Sequence, residues 1–268
     1  MAQGTELDVE VRGCKVHVRR GGSGVPLLYL HGAGGTPGWL PSLEALSDKF
    51  DVIAPDHPAF GLSDQPDWLD DIHDMAYFYL DFIEVMGLDS VHMVGQSLGG
   101  WIALELAVRS TRRLACLTLV GSAGIRIKGK PAADIFIMDP EEMTRALLVD
   151  EKIIDHMLSL ELTEEQQDIQ IRNKVSTARL GWQPRLFNPN LRKWIHRIDV
   201  PTHIVWGDSD QIIPPDYAEE FRSLIAGSSV TMIENCGHLP HIERAEPFVD
   251  AVAGFITRTE ADEATSNK

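Results

Sequence analysis

Apolar residues along this chain follow two rhythms. Short continuous apolar runs alternate with longer stretches in which apolar positions recur every three or four residues, the pattern of buried strands alternating with helices. The runs 5–12 and 14–20 predict two strands meeting at Gly13 in a hairpin. Pro26–Leu30, Asp51–Ala54, Val91–Val94, Leu114–Val120, Thr202–Trp206 and Ser229–Ile233 predict six more. Helices are predicted over 38–48 and from Ser97 to about Val108. Another is predicted over Ile72–Met86, where Met75, Phe78, Tyr79, Phe82, Ile83 and Met86 share a face and Gly87 supplies the stop. A closing helix is predicted over Glu246–Thr257. This is an α/β chain, a mostly parallel eight-stranded sheet with helices on both faces.

The rhythm breaks between residues 125 and 198. No strand pattern occurs there; helical runs cover 140–160 and 163–180, acidic residues are frequent, and Trp182 and Phe187 stand near the end. The expected organisation is therefore an α/β core made of residues 1–124 and 199–258. Residues 125–198 are inserted after the sixth strand as a helical segment, and the polar tail 259–268 is expected to fray into disorder.

Composition narrows the partners. The 268 residues are 44% hydrophobic and 24% charged, an ordinary globular balance with material for a sizeable core. The net charge of −16 repels phosphate backbones and anionic lipid, so neither nucleic acid nor a membrane is an expected partner. No apolar stretch approaches the roughly 18 residues of a membrane span, and Met1–Glu6 lacks the basic-then-apolar start of a secretory signal; a cytoplasmic location is the expectation. Cys14, Cys116 and Cys236 are far apart and odd in number, which suggests neither a disulfide framework nor a zinc cluster. Neither a metal nor an organic cofactor is expected. The sequence is compatible with a monomer or a homodimer.

The chemistry concentrates at Gly95-Gln96-Ser97-Leu98-Gly99, a G-x-S-x-G pattern between a predicted buried strand and a predicted helix. A sharp strand-to-helix turn there pushes the serine hydroxyl out at the sheet edge beside a helix N-terminus, where developing negative charge is stabilised. A serine nucleophile needs a base, and the base an orienting acid. Asp208 and Asp210 follow the strand ending at Trp206, and His238 follows the strand ending at Ile233, both at the edge where Ser97 emerges. Asp208, beside Gly207, suits a turn-capping role, which leaves Asp210 as the preferred acid. His31 is expected to brace the turn His31-Gly32-Ala33-Gly34-Gly35, His57 to serve its own loop, and His241 to be a solvated or supporting residue. Backbone donors for an oxyanion are expected from Leu98, directly after the serine, and from Ala33 or Gly34 in the glycine-rich turn. Ile125, Trp182, Phe187, Ile213 and Leu239 could line an apolar substrate pocket or simply pack the inserted segment on the core.

Taken together, the His31-Gly32 turn, the loop from Asp56 to Ser63, Gly95-Gln96-Ser97-Leu98-Gly99-Gly100, Gly207 to Asp210, and Gly237-His238 followed by Glu243 resemble the α/β-hydrolase family across residues 5–258. The resemblance implies the α/β-hydrolase fold, a Ser97, His238, Asp210 triad and a helical cap over residues 125–198. It is closest to small bacterial esterases and to meta-cleavage-product C–C hydrolases. The sequence departs from the pattern at Ala59, where relatives usually carry glycine, and at Leu239, where the C–C hydrolases usually carry tryptophan. Their cap arginine has three candidates, Arg172, Arg179 and Arg185. Ser97 speaks against the dehalogenases and most epoxide hydrolases of this fold, which use an aspartate nucleophile. The implied function is hydrolysis of a small-molecule ester or related acyl compound, with C–C hydrolysis or non-catalytic ligand binding as the alternatives.

Overall fold

A computed structural model describes residues 4–266, and its strands fall on the apolar runs. The strands are β1 (Thr5–Val11), β2 (Cys14–Gly21), β3 (Pro26–Leu30), β4 (Asp51–Pro55), β5 (Val91–Gln96), β6 (Leu114–Val120), β7 (Thr202–Gly207) and β8 (Ser229–Ile233). They form one sheet in the order β1-β2-β4-β3-β5-β6-β7-β8. The first two pair antiparallel around Arg12 and Gly13, β2 runs antiparallel to β4, and the rest are parallel. Parallel strands covered on both faces are largely apolar, and β5, β6 and β7 are buried at every position.

Helices α1 (Pro41–Ser47), α2 (Ile72–Val85) and α3 (Leu98–Ala107) follow β3, β4 and β5. Asp71 caps α2 through the N–H groups of His73 and Asp74. Every residue of α3 is buried, so this helix has no polar face and is fixed on all sides. Two apolar cores result, one on each side of the sheet. Met75, Phe82 and Ile102 belong to the first, and Leu43, Val94 and Phe248 to the second.

Between β6 and β7 lie α4 (Pro140–Leu147), α5 (Glu151–Ser159), α6 (Glu164–Gly181) and two short 3-10 turns. The run expected as one helix over 140–160 is two, because Leu148 turns extended and Asp150 starts a new helix by accepting the Lys152 N–H. A parallel bridge between Gly124 and Phe187 joins the two ends of the insertion. Two further elements were not expected. Helix α7 (Asp216–Leu224) buries Tyr217, Ala218 and Phe221, and α8 (Pro240–Glu243) is a single turn after the His238 loop.

Residues 259–266 of the tail expected to fray are helical. The last helix, α9 (Ala245–Ser266), continues well past 258. Buried Thr259 bonds back to the Phe255 carbonyl at 3.1 Å, and Glu260 reaches His92 Nε2 at 2.9 Å, so the polar end of this helix has partners. Asn267 and Lys268 lie outside the described residues. No helix among the described residues is long and apolar enough to cross a membrane.

Candidate active site

Ser97 is the single residue between β5 and α3, and its backbone sits at φ 52°, ψ −110°, a region that L-residues rarely occupy. The turn is possible because Gly99 has no side chain; one there would run into the Leu30 carbonyl, and without it α3 presses directly on β3. This places the hydroxyl beside the N-terminus of α3, whose first N–H groups have no partner within the helix.

The loops after β7 and β8 bring the other two groups to it. Ser97 Oγ donates to His238 Nε2 at 2.9 Å, and His238 Nδ1 donates to Asp210 Oδ2 at 2.7 Å. His238 and Asp210 are both buried. Asp210 Oδ1 accepts the N–H groups of Ile212 and Ile213 at 2.8 and 2.9 Å, so its charge is held by two backbone donors and the imidazole. Asp208 points elsewhere: it is exposed and accepts from Ser209 Oγ and the Cys236 N–H. The His238 loop is itself pinned, since the His238 N–H donates to the Leu147 carbonyl at 2.8 Å. Buried Glu243 accepts three backbone N–H groups, from Val149, Asp150 and Gly237.

On the other side of Ser97 the glycine-rich turn is braced by two buried histidines, His31 and His57, whose ring centroids lie 3.7 Å apart at a tilt of 33°. His31 Nε2 accepts the His57 N–H at 3.0 Å, so its proton is on Nδ1, facing the Gly32 carbonyl at 2.7 Å. His57 Nε2 faces the His31 carbonyl at 2.9 Å and carries its proton there, leaving Nδ1 to accept from the Tyr79 hydroxyl at 2.5 Å. Burial pushes both imidazoles below their usual range, His57 the further with His31 beside it, so the pair stays neutral. Of the two expectations for His241, solvated or supporting, the buried position excludes the first. It is enclosed by Tyr29 and Phe248, and burial, with His238 close by, lowers it to about 3. Burial and then Glu243 push the Cys236 thiol up to about 12, far from a reactive thiolate.

Three of the five expected pocket residues converge. Ile125, Phe187 and Ile213, with Ala123, Tyr217 and Arg185, line a cavity of about 270 Å³, and the Ala123 N–H bonds the Ser97 carbonyl at 3.1 Å. Trp182 is outside it, 48% exposed, with its ring under the Arg185 guanidinium at 4.0 Å. Leu239 does not reach the cavity wall either. Of the arginines, Arg172 is occupied by the carbonyls of Ala59, Gly61 and Ser63, and Arg179 faces Asp70. Arg185 is at the cavity but paired with Asp134. Sequence reasoning missed Tyr79, whose apolar spacing on α2 concealed its hydroxyl. It also missed Asn173, Ser176 and Thr177, a buried polar stripe whose helical spacing on α6 was the available signal. No cluster of metal-ligating side chains occurs among the described residues.

A family model described as "Alpha/beta hydrolase family" matches residues 27–251. The chain is 30% identical to a 2-hydroxy-6-oxo-6-(2'-aminophenyl)hexa-2,4-dienoic acid hydrolase of Metapseudomonas resinovorans, over 94% of this chain and 91% of that one. It is 28% identical to Lipase 1 of Psychrobacter immobilis, over 89% and 79%. With the dihydrolipoyllysine-residue acetyltransferase component of the acetoin cleaving system of Cupriavidus necator it shares 29% identity over 89% of this chain, which spans 66% of that protein. Among solved structures, a meta-cleavage product hydrolase from Pseudomonas fluorescens IP01 has the same fold. Its TM-score is 0.81 at 22% identity, over 94% of this chain and 97% of that one.

Proposed function

This chain belongs to the alpha/beta hydrolase family and is a hydrolase, and from that premise we propose that it is a serine esterase cleaving a carboxylic ester of a small or medium, partly apolar substrate. The observation that carries the reading is the Ser97–His238–Asp210 relay, with links of 2.9 and 2.7 Å. Ser97 Oγ attacks the ester carbonyl while His238 Nε2 takes its proton; Asp210 holds the imidazole tautomer and stabilises the imidazolium. The tetrahedral oxyanion is met by the N–H of Leu98 and that of Ala33. Ala33 is preferred over Gly34 because the loop lies against Ser97 at Gly32: a side chain there would meet the Ser97 Cβ, whereas one at Gly34 would meet nothing. His238 returns the proton to the leaving alcohol, and a water activated by the same imidazole releases the acid. Residues 125–198 act as the cap, and Ile125, Phe187 and Ile213 accept the apolar part of the substrate. Three cysteines buried without disulfides suit a reducing compartment, and the cytoplasm is the proposed setting.

C–C hydrolysis of a vinylogous diketone is the second reading, favoured by the named substrate of the 30%-identical relative. The ester is preferred because Leu239 stands after His238 and because Arg172 and Arg185 already have partners in this chain. Purified enzyme is assayed on short p-nitrophenyl esters and on a ring-fission dienoate, with Ser97→Ala as control. Ester turnover is expected to exceed dienoate turnover, and Ser97→Ala to lower it by about 10⁴-fold or more. Wild-type turnover by folded Ser97→Ala protein overturns the scheme.

A further inference from the structure

Helix α6 turns four polar side chains, Arg172, Asn173, Ser176 and Thr177, onto the backbone of the two loops beside Ser97. Thr177 Oγ1 donates to the Ala33 carbonyl at 3.1 Å and Asn173 Nδ2 to the Gly34 carbonyl at 2.9 Å, while Asn173 Oδ1 accepts the Gly61 N–H at 2.9 Å. Ser176 Oγ donates to the Ala59 carbonyl at 2.6 Å, which Arg172 also reaches. Asn173, Ser176 and Thr177 are 3–4% exposed. Packing alone would be served better by apolar side chains, since burying amide and hydroxyl groups costs free energy unless they are bonded. Here each bond ends on loop backbone, on the carbonyls of Ala33, Gly34 and Ala59 and the N–H of Gly61.

The carbonyls so held dictate where the neighbouring N–H groups point. In a trans peptide the C=O and the following N–H are antiparallel. The Gly32 carbonyl is fixed by His31 Nδ1 and by the Gly35 N–H at 3.1 Å, which directs the Ala33 N–H the opposite way. The Ala33 carbonyl is fixed by Thr177, which sets the next peptide. Ala33 is therefore clamped through both flanking peptides, from the sheet side by the histidines and from the inserted segment by α6. Neither the Ala33 nor the Gly34 N–H donates to a protein atom among the described residues.

We infer that Thr177 and Asn173 are positioning residues for the oxyanion donor, so that α6 completes the catalytic apparatus rather than merely covering it. The inference rests on the serine-esterase reading above, in which the Ala33 N–H receives the oxyanion. Such a donor stabilises the transition state only if oriented before charge develops.

The test uses Thr177→Val, which keeps the shape and removes the donor, and Thr177→Ser, which restores the hydroxyl. Each is assayed for kcat and KM on p-nitrophenyl butyrate, for inhibition by phenylboronic acid, which forms a tetrahedral adduct on Ser97 Oγ, and for inhibition by butyrate. Thr177→Val is expected to lower kcat about 10-fold and weaken phenylboronic acid by the same factor, short of the loss from deleting an oxyanion donor outright. KM and butyrate inhibition stay within about twofold, and Thr177→Ser recovers both losses. Asn173→Asp, which sets an oxygen against the Gly34 carbonyl, is read the same way should Thr177→Val not fold. Wild-type kcat and boronate inhibition in the folded variants overturn the inference, as does a Thr177→Ser enzyme as slow as Thr177→Val with an unchanged melting temperature. Ser97→Ala separates the two levels. If it abolishes turnover while Thr177→Val changes nothing, only the role of α6 fails; if it leaves turnover intact, both readings fall.

Discussion

Two aspartates two positions apart have opposite surroundings. Asp210 is buried against His238 and two N–H groups, whereas Asp208 is exposed and closes a turn. Asp210→Asn is therefore expected to lower kcat by about 10⁴-fold in a folded protein, because an amide can support the wrong imidazole tautomer. Asp208→Asn should leave kcat within about threefold. Steady-state assays of both variants check this, and equal losses would mean that the acid has been misassigned. Ala59 shows a different kind of constraint. It sits at φ 70°, the left-handed region in which glycine has no side-chain penalty, and this gives a physical reason for the glycine that the resemblance leads one to expect there. The strain is held by its neighbours: its N–H bonds the Asp64 carbonyl, and its own carbonyl takes Arg172 and Ser176.

At the level of elements, the segment between α4 and α5 and the His238 loop are joined by one carboxylate. Glu243 satisfies three N–H groups from both. Glu243→Ala leaves the buried Gly237 donor and the part-buried Val149 and Asp150 donors without their acceptor and is expected to cost on the order of 3 kcal/mol by urea unfolding, with a lower kcat as the His238 loop loosens. A variant as stable as wild type would show that the carboxylate is dispensable. The end of α9 supplies a second expectation. Ending the chain after Arg258 removes Thr259 and Glu260, with the Glu260–His92 contact, and should lower the melting temperature by about 2–4 °C. A frayed tail would make the truncation silent.

The whole molecule keeps several imidazoles buried and neutral. His203, stacked on Phe255 and bonded to Ser229, is lowered to about 4 by burial, with Arg258 adding to it, and His241 to about 3. An unfolded histidine titrates near 6.5. Below pH 6.5 the unfolded chain therefore binds protons that the native state refuses, and stability falls with pH down to these lowered values. For His203 alone the loss between pH 7 and pH 4 is on the order of 3 kcal/mol. His203→Gln is expected to reduce proton uptake on unfolding at pH 5 by about one, read from the pH dependence of urea midpoints. An unchanged slope would mean that His203 titrates normally in the native protein.

The sequence by itself determined the strand count, the alternation and the place of Ser97, because buried parallel strands are largely apolar and a strand-to-helix turn needs glycine beside the serine. It also marked Asp210 and His238 as loop residues at the same sheet edge. Tertiary structure decided what periodicity does not encode. Helix α7 has a short amphipathic pattern that is hard to tell from a loop, and the end of α9 looks polar until Glu260 meets His92, a residue far away along the chain. Trp182 and Phe187 have equal claims to a pocket in sequence, yet the Gly124–Phe187 bridge draws one inward and leaves the other on the surface. Tyr79, Asn173 and Thr177 read as ordinary helix positions because what they do depends on hydrogen bonds to loops distant in sequence. Local propensity follows from neighbours within a few residues, whereas the partner of a buried polar group is chosen only when the chain has packed.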